Sequence, residues 1–298
     1  MLIFFVEVKS IRLGGTKVKT ISLINMKGGV GKTTLSVNIA DCLSRRYDKR
    51  VLLIDVDPQY NATQCLMKAE EYYTYKTASK DTIIDIFERE SHIEVSVVDG
   101  NTEKKPNDIE EITPISVREK FDLIPGALDL YKIEMSAGEG KEFGIKQYLA
   151  TVQNKYDYVI IDTPPTPSVW MTSALLASNY YLIPTKADPI SLTGIDLLHT
   201  IIETKSRRFG LSELKCCGVV LTVAERNTVI FQNAQNNLKA NARWKNKLYT
   251  YSLCKRVDMA REQLNQKFIL DMNDTQIKSD LNNIVKEMLS RIGDDVDE

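Results

Sequence analysis

KTISLINMKGGVGKTT (residues 19–34) decides the fold. Residues 19–25 form a short β-branched apolar run, residues 26–31 are rich in glycine, and a helical pattern opens at Lys32. A strand that passes through a glycine-rich turn into a helix is the setting of a phosphate-binding loop. Glycine lets the backbone turn N–H groups toward phosphate oxygens, and the helix adds the positive end of its dipole. The nucleotide-facing set is Gly28, Gly29, Val30, Gly31, Lys32, Thr33 and Thr34. Lys32 is placed to reach the β- and γ-phosphates, and Thr33 to offer its hydroxyl to Mg²⁺.

Outward from this loop, apolar runs alternate with helical patterns. Strands are read at 19–25, 50–57, 120–126, 156–165, 179–185 and 214–223, with 248–253 a candidate last strand. Helices are read at 32–46, 126–137, 142–154, 170–178, 190–209, 227–241, 256–267 and 274–292. The alternation predicts an α/β fold: a doubly wound, mostly parallel sheet flanked by helices, as in P-loop NTPases. One domain spans 18–292, interrupted by an insertion at about 66–119 whose residues 99–111 are polar and charged. Residues 1–17 form an N-terminal arm, and 293–298 an acidic tail expected to be disordered.

Two carboxylate groups follow the strands. Asp55 and Asp57 are two residues apart on a strand, so they share a face at its C-terminal end, beside the ligand crevice. Either could instead cap the following helix. Asp162 ends the buried run YDYVIID, and Pro164 and Pro165 stop that strand. Lys32, Thr33, Asp57 and Asp162 make a phosphoryl-transfer set without a nucleophilic side chain, which points to hydrolysis by water.

The loop departs from the common GxxxxGK[ST] pattern, whose first glycine would fall on Met26, and carries a second lysine, Lys27. KGGVGKTT resembles the deviant Walker A motif of the ParA/MinD superfamily. DVDPQ (55–59) resembles its switch I, and YDYVIIDTPP (156–165) its Walker B strand and switch II. Weaker similarity runs through 121–135, 180–198 and 214–227, so it covers about 18–290 apart from 66–119. The resemblance implies an ATPase that uses ATP/ADP and Mg²⁺, with Lys27, Lys32, Asp57 and Asp162 catalytic and Thr33, Asp57 and Asp162 at the metal. It implies that Asp57 orients the attacking water. Lys27 would cross a homodimer interface to the partner's phosphates, neutralising charge on the transferring group. Thr222, opening the stretch to Asn227, would lie near the adenine.

Net charge is −1, so a nucleic-acid site must come from local clustering. From Asn236 to Val257 stand Lys239, Arg243, Lys245, Lys247, Lys255 and Arg256 with no acidic residue, and Arg207 and Arg208 end the preceding long helix. Such a set can neutralise phosphates without reading bases. Members of the ParA family bind nonspecific double-stranded DNA through this region as ATP-bound dimers, and a centromere-binding adaptor stimulates their hydrolysis. No helix-turn-helix precedes the loop, as in the short ParA type. A cytoplasmic, nucleoid-associated DNA-partition ATPase is therefore expected.

The alternative is a MinD-like membrane-cycling ATPase. Ile277, Leu281, Ile284, Val285, Met288, Leu289 and Ile292 give the last helix one apolar face. That helix lacks the aromatic residues of membrane-surface helices, and an acidic tail follows it, so no membrane partner is expected. The five cysteines form no CxxC pair, which disfavours a cysteine-held metal cluster.

Overall fold

The computed structural model describes residues 18–78, 80–88, 108–135, 140–256 and 259–294. The expected arm over 1–17, most of the polar stretch 99–111 and the last four residues of the tail lie outside the described residues. The strands are β1 (Lys19–Leu23), β2 (Val51–Asp55), β3 (Ile115–Arg118), β4 (Phe121–Ile124), β5 (Tyr158–Asp162), β6 (Tyr180–Lys186) and β7 (Lys215–Thr222). The first helices are α1 (Lys32–Arg46), α2 (Asn61–Leu66), α3 (Ala69–Thr77), α4 (Ile83–Phe87), α5 (Leu130–Met135) and α6 (Gly144–Val152). Then follow α7 (Val169–Ala177), α8 (Pro189–Phe209), α9 (Val229–Ala240), α10 (Met259–Leu264) and α11 (Thr275–Arg291).

The strands make one sheet in the order β3-β4-β2-β5-β1-β6-β7. All neighbours are parallel except β3 and β4. This is the doubly wound α/β sheet that the alternation predicts. In β2 and β5 every residue is buried, as strands covered on both faces require. Their register sets Asp55 opposite Asp162, so both carboxylates end at the same rim of the sheet. One face carries Trp170, Tyr148, Ile195 and Leu198 from α6, α7 and α8. The other carries Leu35, Ile39 and Leu43 of α1 against α11.

α11 begins at Asp274, whose side chain accepts from the amides of Gln276 and Ile277 at 3.0 and 3.1 Å. It buries Ile277, Leu281, Ile284, Val285, Met288 and Leu289. Full burial of such a side chain is worth about 1.5–3 kcal/mol. The apolar face that motivated the membrane reading is therefore committed to the core. Among the described residues, no helix is long and apolar enough to cross a membrane.

Three expectations change. The candidate strand at 248–253 is not a strand: it pairs with the β7 region only through bridges at Leu248 and Cys254. Tyr249 donates to Val219 and Leu253 to Leu221, so four residues advance against two, and the amide of Thr250 turns to the Glu287 carboxylate. Gly218 admits this close approach, because a Cβ there would stand 2.4 Å from the Lys247 carbonyl oxygen. Second, the stretch 66–119 supplies α3, α4 and the antiparallel edge strand β3. Arg118 of β3 reaches Asp41 of α1 at 2.9 Å, and burial pushes that carboxyl up to about 6 against the pull of Arg118 and Arg45. Third, Asp294 of the tail pairs with Lys19 and accepts from the Tyr158 hydroxyl.

Candidate nucleotide site

The loop between β1 and α1 is fastened from both sides. Asn25 donates to the Pro184 carbonyl at 2.7 Å and accepts from the Lys27 amide at 2.9 Å. Thr222 bonds the carbonyls of Val30 and Thr185 at 2.5 and 3.1 Å. Between these anchors Gly29 and Gly31 take φ of 67° and 78°, the left-handed region that glycine enters without steric cost. The loop borders a cavity of about 380 Å³. Gly28 to Thr34 line one wall. Asp57, Gln59, Asn61, Cys65, Pro165, Val223 and Gln263 line the rest.

Behind the loop lies a buried polar cluster. Thr33 donates to one Asp162 oxygen at 2.7 Å, and Ser36 to the other at 2.8 Å. Asp162 is fully buried; burial raises its carboxyl to about 6, opposed by the bonds from Thr33 and Ser36 and by Lys32. The Lys32 ammonium touches the Lys27 carbonyl at 3.3 Å, and burial lowers its pKa against the attraction of Asp162 and Asp57. Asp57, 4% exposed, accepts from the Gln59 amide at 2.9 Å, and burial raises its pKa against that bond and Lys32. The hydroxyl of Thr33 and the carboxylates of Asp162 and Asp57 form an all-oxygen donor set, which suits a hard divalent cation such as Mg²⁺.

Asp55 and Asp57 do different things. Asp55 accepts from the amide and hydroxyl of Thr63 at 2.8 and 2.7 Å, and Thr63 in turn accepts from the Gly126 amide at 2.8 Å. It is a strut that fixes α2. Asp57 lines the cavity. The chain between them and α2 turns at Tyr60, whose φ is 42° and whose ring stacks on Tyr72 at 5.2 Å.

Thr222 must be corrected. It is fully buried and its hydroxyl is spent on the Val30 carbonyl of the loop and the Thr185 carbonyl of β6, so it ties the loop to the sheet and does not face a base. The cavity is lined by the next residue, Val223, with φ of 49°, a rare value for a β-branched side chain. Lys27 lies outside this cavity's wall, its ammonium 3.1 Å from both oxygens of Asp188 in the same chain.

The eight cations are not one cluster. Arg207 and Arg208 are exposed at the end of α8. Arg243 reaches Asp196 at 3.4 Å beside the Trp244 indole, which donates to the same carboxylate at 2.8 Å. Asp196 is twelve residues before Arg208, about 18 Å along the helix. Lys247 lies over the Trp244 ring at 5.7 Å, and Lys239 and Lys245 are exposed nearby in sequence. Lys255 pairs with Glu225 at 2.7 Å and Arg256 with Asp274 at 2.5 Å, beside the start of α11. Ser36, Asp188 and Gln263 were not singled out by sequence, and Val223 only as part of the stretch that Thr222 opens. Ser36 alone had a signal, lying about one helical turn after Lys32 and Thr33.

A family model described as AAA domain matches residues 18–213. The sporulation initiation inhibitor protein Soj of Bacillus subtilis is 32% identical over 212 residues, covering 70% of this chain and 74% of that protein. The chromosome-partitioning ATPase Soj of Thermus thermophilus is 31% identical over 227 residues, covering 76% and 77%. Among solved structures, a putative plasmid partition protein from Borrelia burgdorferi bound to AMPPNP superimposes with a TM-score of 0.73 at 29% identity, covering 92% of this chain and all of that one.

Proposed function

The chain belongs to the ParA/Soj family of partition ATPases, and from that premise we propose how its geometry is used. It is a P-loop ATPase with ATP/ADP and Mg²⁺ as cofactors. The observation that carries the residue roles is the Thr33–Asp162 bond at 2.7 Å, set behind Lys32 and facing a cavity that Asp57 also lines. Lys32 binds the β- and γ-phosphates. Thr33, Asp162 and Asp57 hold Mg²⁺, which neutralises charge on the phosphates when bound. Asp57 orients the attacking water, and its buried carboxyl is the acceptor that water needs. The backbone of residues 28–34 cradles the phosphates, with the positive end of α1 beneath them.

Two nucleotide-bound copies form a homodimer. Lys27 leaves Asp188 and reaches the partner's phosphates, so dimerisation and the loss of an internal ion pair are one event. The dimer binds nonspecific double-stranded DNA at the nucleoid through the exposed Arg207, Arg208, Lys239 and Lys245, with the half-buried Lys247 and the Asp196-paired Arg243 beside them. Lys255 and Arg256 join them only by exchanging Glu225 and Asp274 for phosphate. A centromere-binding adaptor stimulates hydrolysis and releases the dimer. The membrane alternative lost its motivating observation when the face of α11 proved buried.

Binding to a random-sequence duplex at fixed low salt, with no nucleotide, ADP, ATP or a nonhydrolysable analogue, tests this reading. Binding with ATP and the analogue alone is expected. Equal binding in all four states would refute the switch, and no binding in any state would remove DNA from the function.

A further inference from the structure

Gln263 sits in α10, late in the chain and far in sequence from the phosphate loop, yet it lines the same cavity. It is 8% exposed. Its amide oxygen accepts from the Thr34 hydroxyl at 3.0 Å, while its amide nitrogen is buried with no hydrogen-bond partner. A buried donor without a partner is costly, so a group in this position calls for an acceptor.

The neighbouring geometry indicates which acceptor. Thr33 and Thr34 are consecutive on α1, so their side chains leave the helix about 100° apart. Thr33 is directed to Asp162, on the side of the metal and the reacting phosphoryl group. Thr34 is directed to Gln263, on the other side. Thr34 also lies in the first turn of α1, where backbone amides have no partner within the helix. The Thr34 hydroxyl holds the Gln263 amide oxygen beside this turn, and a side-chain amide nitrogen added to the unpartnered backbone amides suits an anionic oxygen.

We propose that Gln263 is a nucleotide-binding residue whose side-chain amide donates to the α-phosphate of the bound nucleotide. The proposal rests on the assignment of this cavity to ATP. It makes α10, which packs against the switch I helix α2, sensitive to whether the site is filled. The Thr34 hydroxyl orients the amide, so Thr34 and Gln263 act as one unit.

Calorimetric binding of MgADP to the full chain tests this, with Lys32→Ala as the control for the cavity itself. If Lys32→Ala binds like wild type, the cavity assignment has failed, and Gln263 is not at issue. With that control passed, Gln263→Leu is expected to weaken MgADP about ten- to a hundredfold, the worth of one hydrogen bond to a charged group. Gln263→Glu keeps the length and the acceptor for Thr34 but sets a carboxylate against the phosphate, so a larger loss is expected. Thr34→Val combined with Gln263→Leu should be no worse than Gln263→Leu alone. Unchanged affinity in Gln263→Glu overturns the proposal, and this variant serves if Gln263→Leu does not fold. Losses that vanish with 2′-deoxy-ADP would also overturn it, by moving the contact to the ribose.

Discussion

The phosphate end of the sheet and the basic segment from Lys239 to Arg256 handle charge in opposite ways. At the phosphate end, Lys32, Asp57 and Asp162 are buried, and Asp162 is held by two hydroxyls at once. In the basic segment the cations are exposed or half-buried, and several are paired with a single acid across the surface. Chemistry on a phosphoryl group needs atoms fixed to fractions of an ångström, and burial with several partners supplies that. Attraction to a polyanion needs only charge within about a Debye length of 8–10 Å, so loosely held side chains suffice. Substitutions in the first region should therefore act in steps, and those in the second by degrees.

The largest expected effect is that of Lys32→Ala, which should abolish ATP binding by calorimetry; a residual affinity within tenfold of wild type would break the comparison at its firm end. Asp57→Ala should keep ATP binding, lower hydrolysis about a hundredfold or more, and hold the ATP dimer on a sizing column. Hydrolysis at the wild-type rate would remove Asp57 from the water-orienting role.

The pH dependence sharpens the same contrast. Asp162 must be a carboxylate to hold Mg²⁺, and its pKa without metal is raised to about 6. Lowering the pH through that value adds the proton that metal binding must expel. Affinity for MgATP should then fall about tenfold per unit below pH 6. ATP measured with a chelator should show a shallower slope, its own terminal phosphate titrating in the same range, and equal slopes would discard Asp162 as the metal's ligand.

How far the sequence reached follows the same division. Phosphates impose a backbone geometry that few residues satisfy, so the loop and the order of strands and helices around it were legible. Thr222 was placed one residue off. β7 ends at Thr222 and the chain turns at Val223, whose φ is 49°, so Val223 lines the cavity while Thr222 braces the loop. Strand β3 was missed because ISVR, although it alternates apolar and polar residues, is only four residues long and lies inside a stretch that is otherwise polar and charged. Gln263 had no signal at all, since its role arises only when the last third of the chain folds back onto α1. The cations were legible as charges, but not their acidic partners, which lie from 18 to 47 residues away.

Two smaller effects probe the surface. Asp188→Asn removes the carboxylate that pairs with Lys27 within its own chain, so ATP-dependent dimerisation should tighten a few-fold, as expected for one half-exposed ion pair. A weaker dimer would show that Asp188 serves the dimer and not the monomer. Lys239→Glu with Lys245→Glu should reduce DNA affinity more than Lys255→Glu with Arg256→Glu, because the latter two are already neutralised by Glu225 and Asp274. The reverse order, at matched salt and with ATPase activity intact, would show that internal pairing does not withhold a cation from DNA.

The short antiparallel strand β3 has a bearing on aggregation. An open sheet edge is a row of unpaired backbone groups on which a foreign strand can grow. Here one edge ends in four residues with a register shift between Ser116 and Arg118, and Arg118 is drawn back onto α1. The other edge, β7, is bridged by the segment from Lys247 to Lys255. Neither side offers a long, flat template. Copies of the chain can thus collide without these edges of the described sheet fusing.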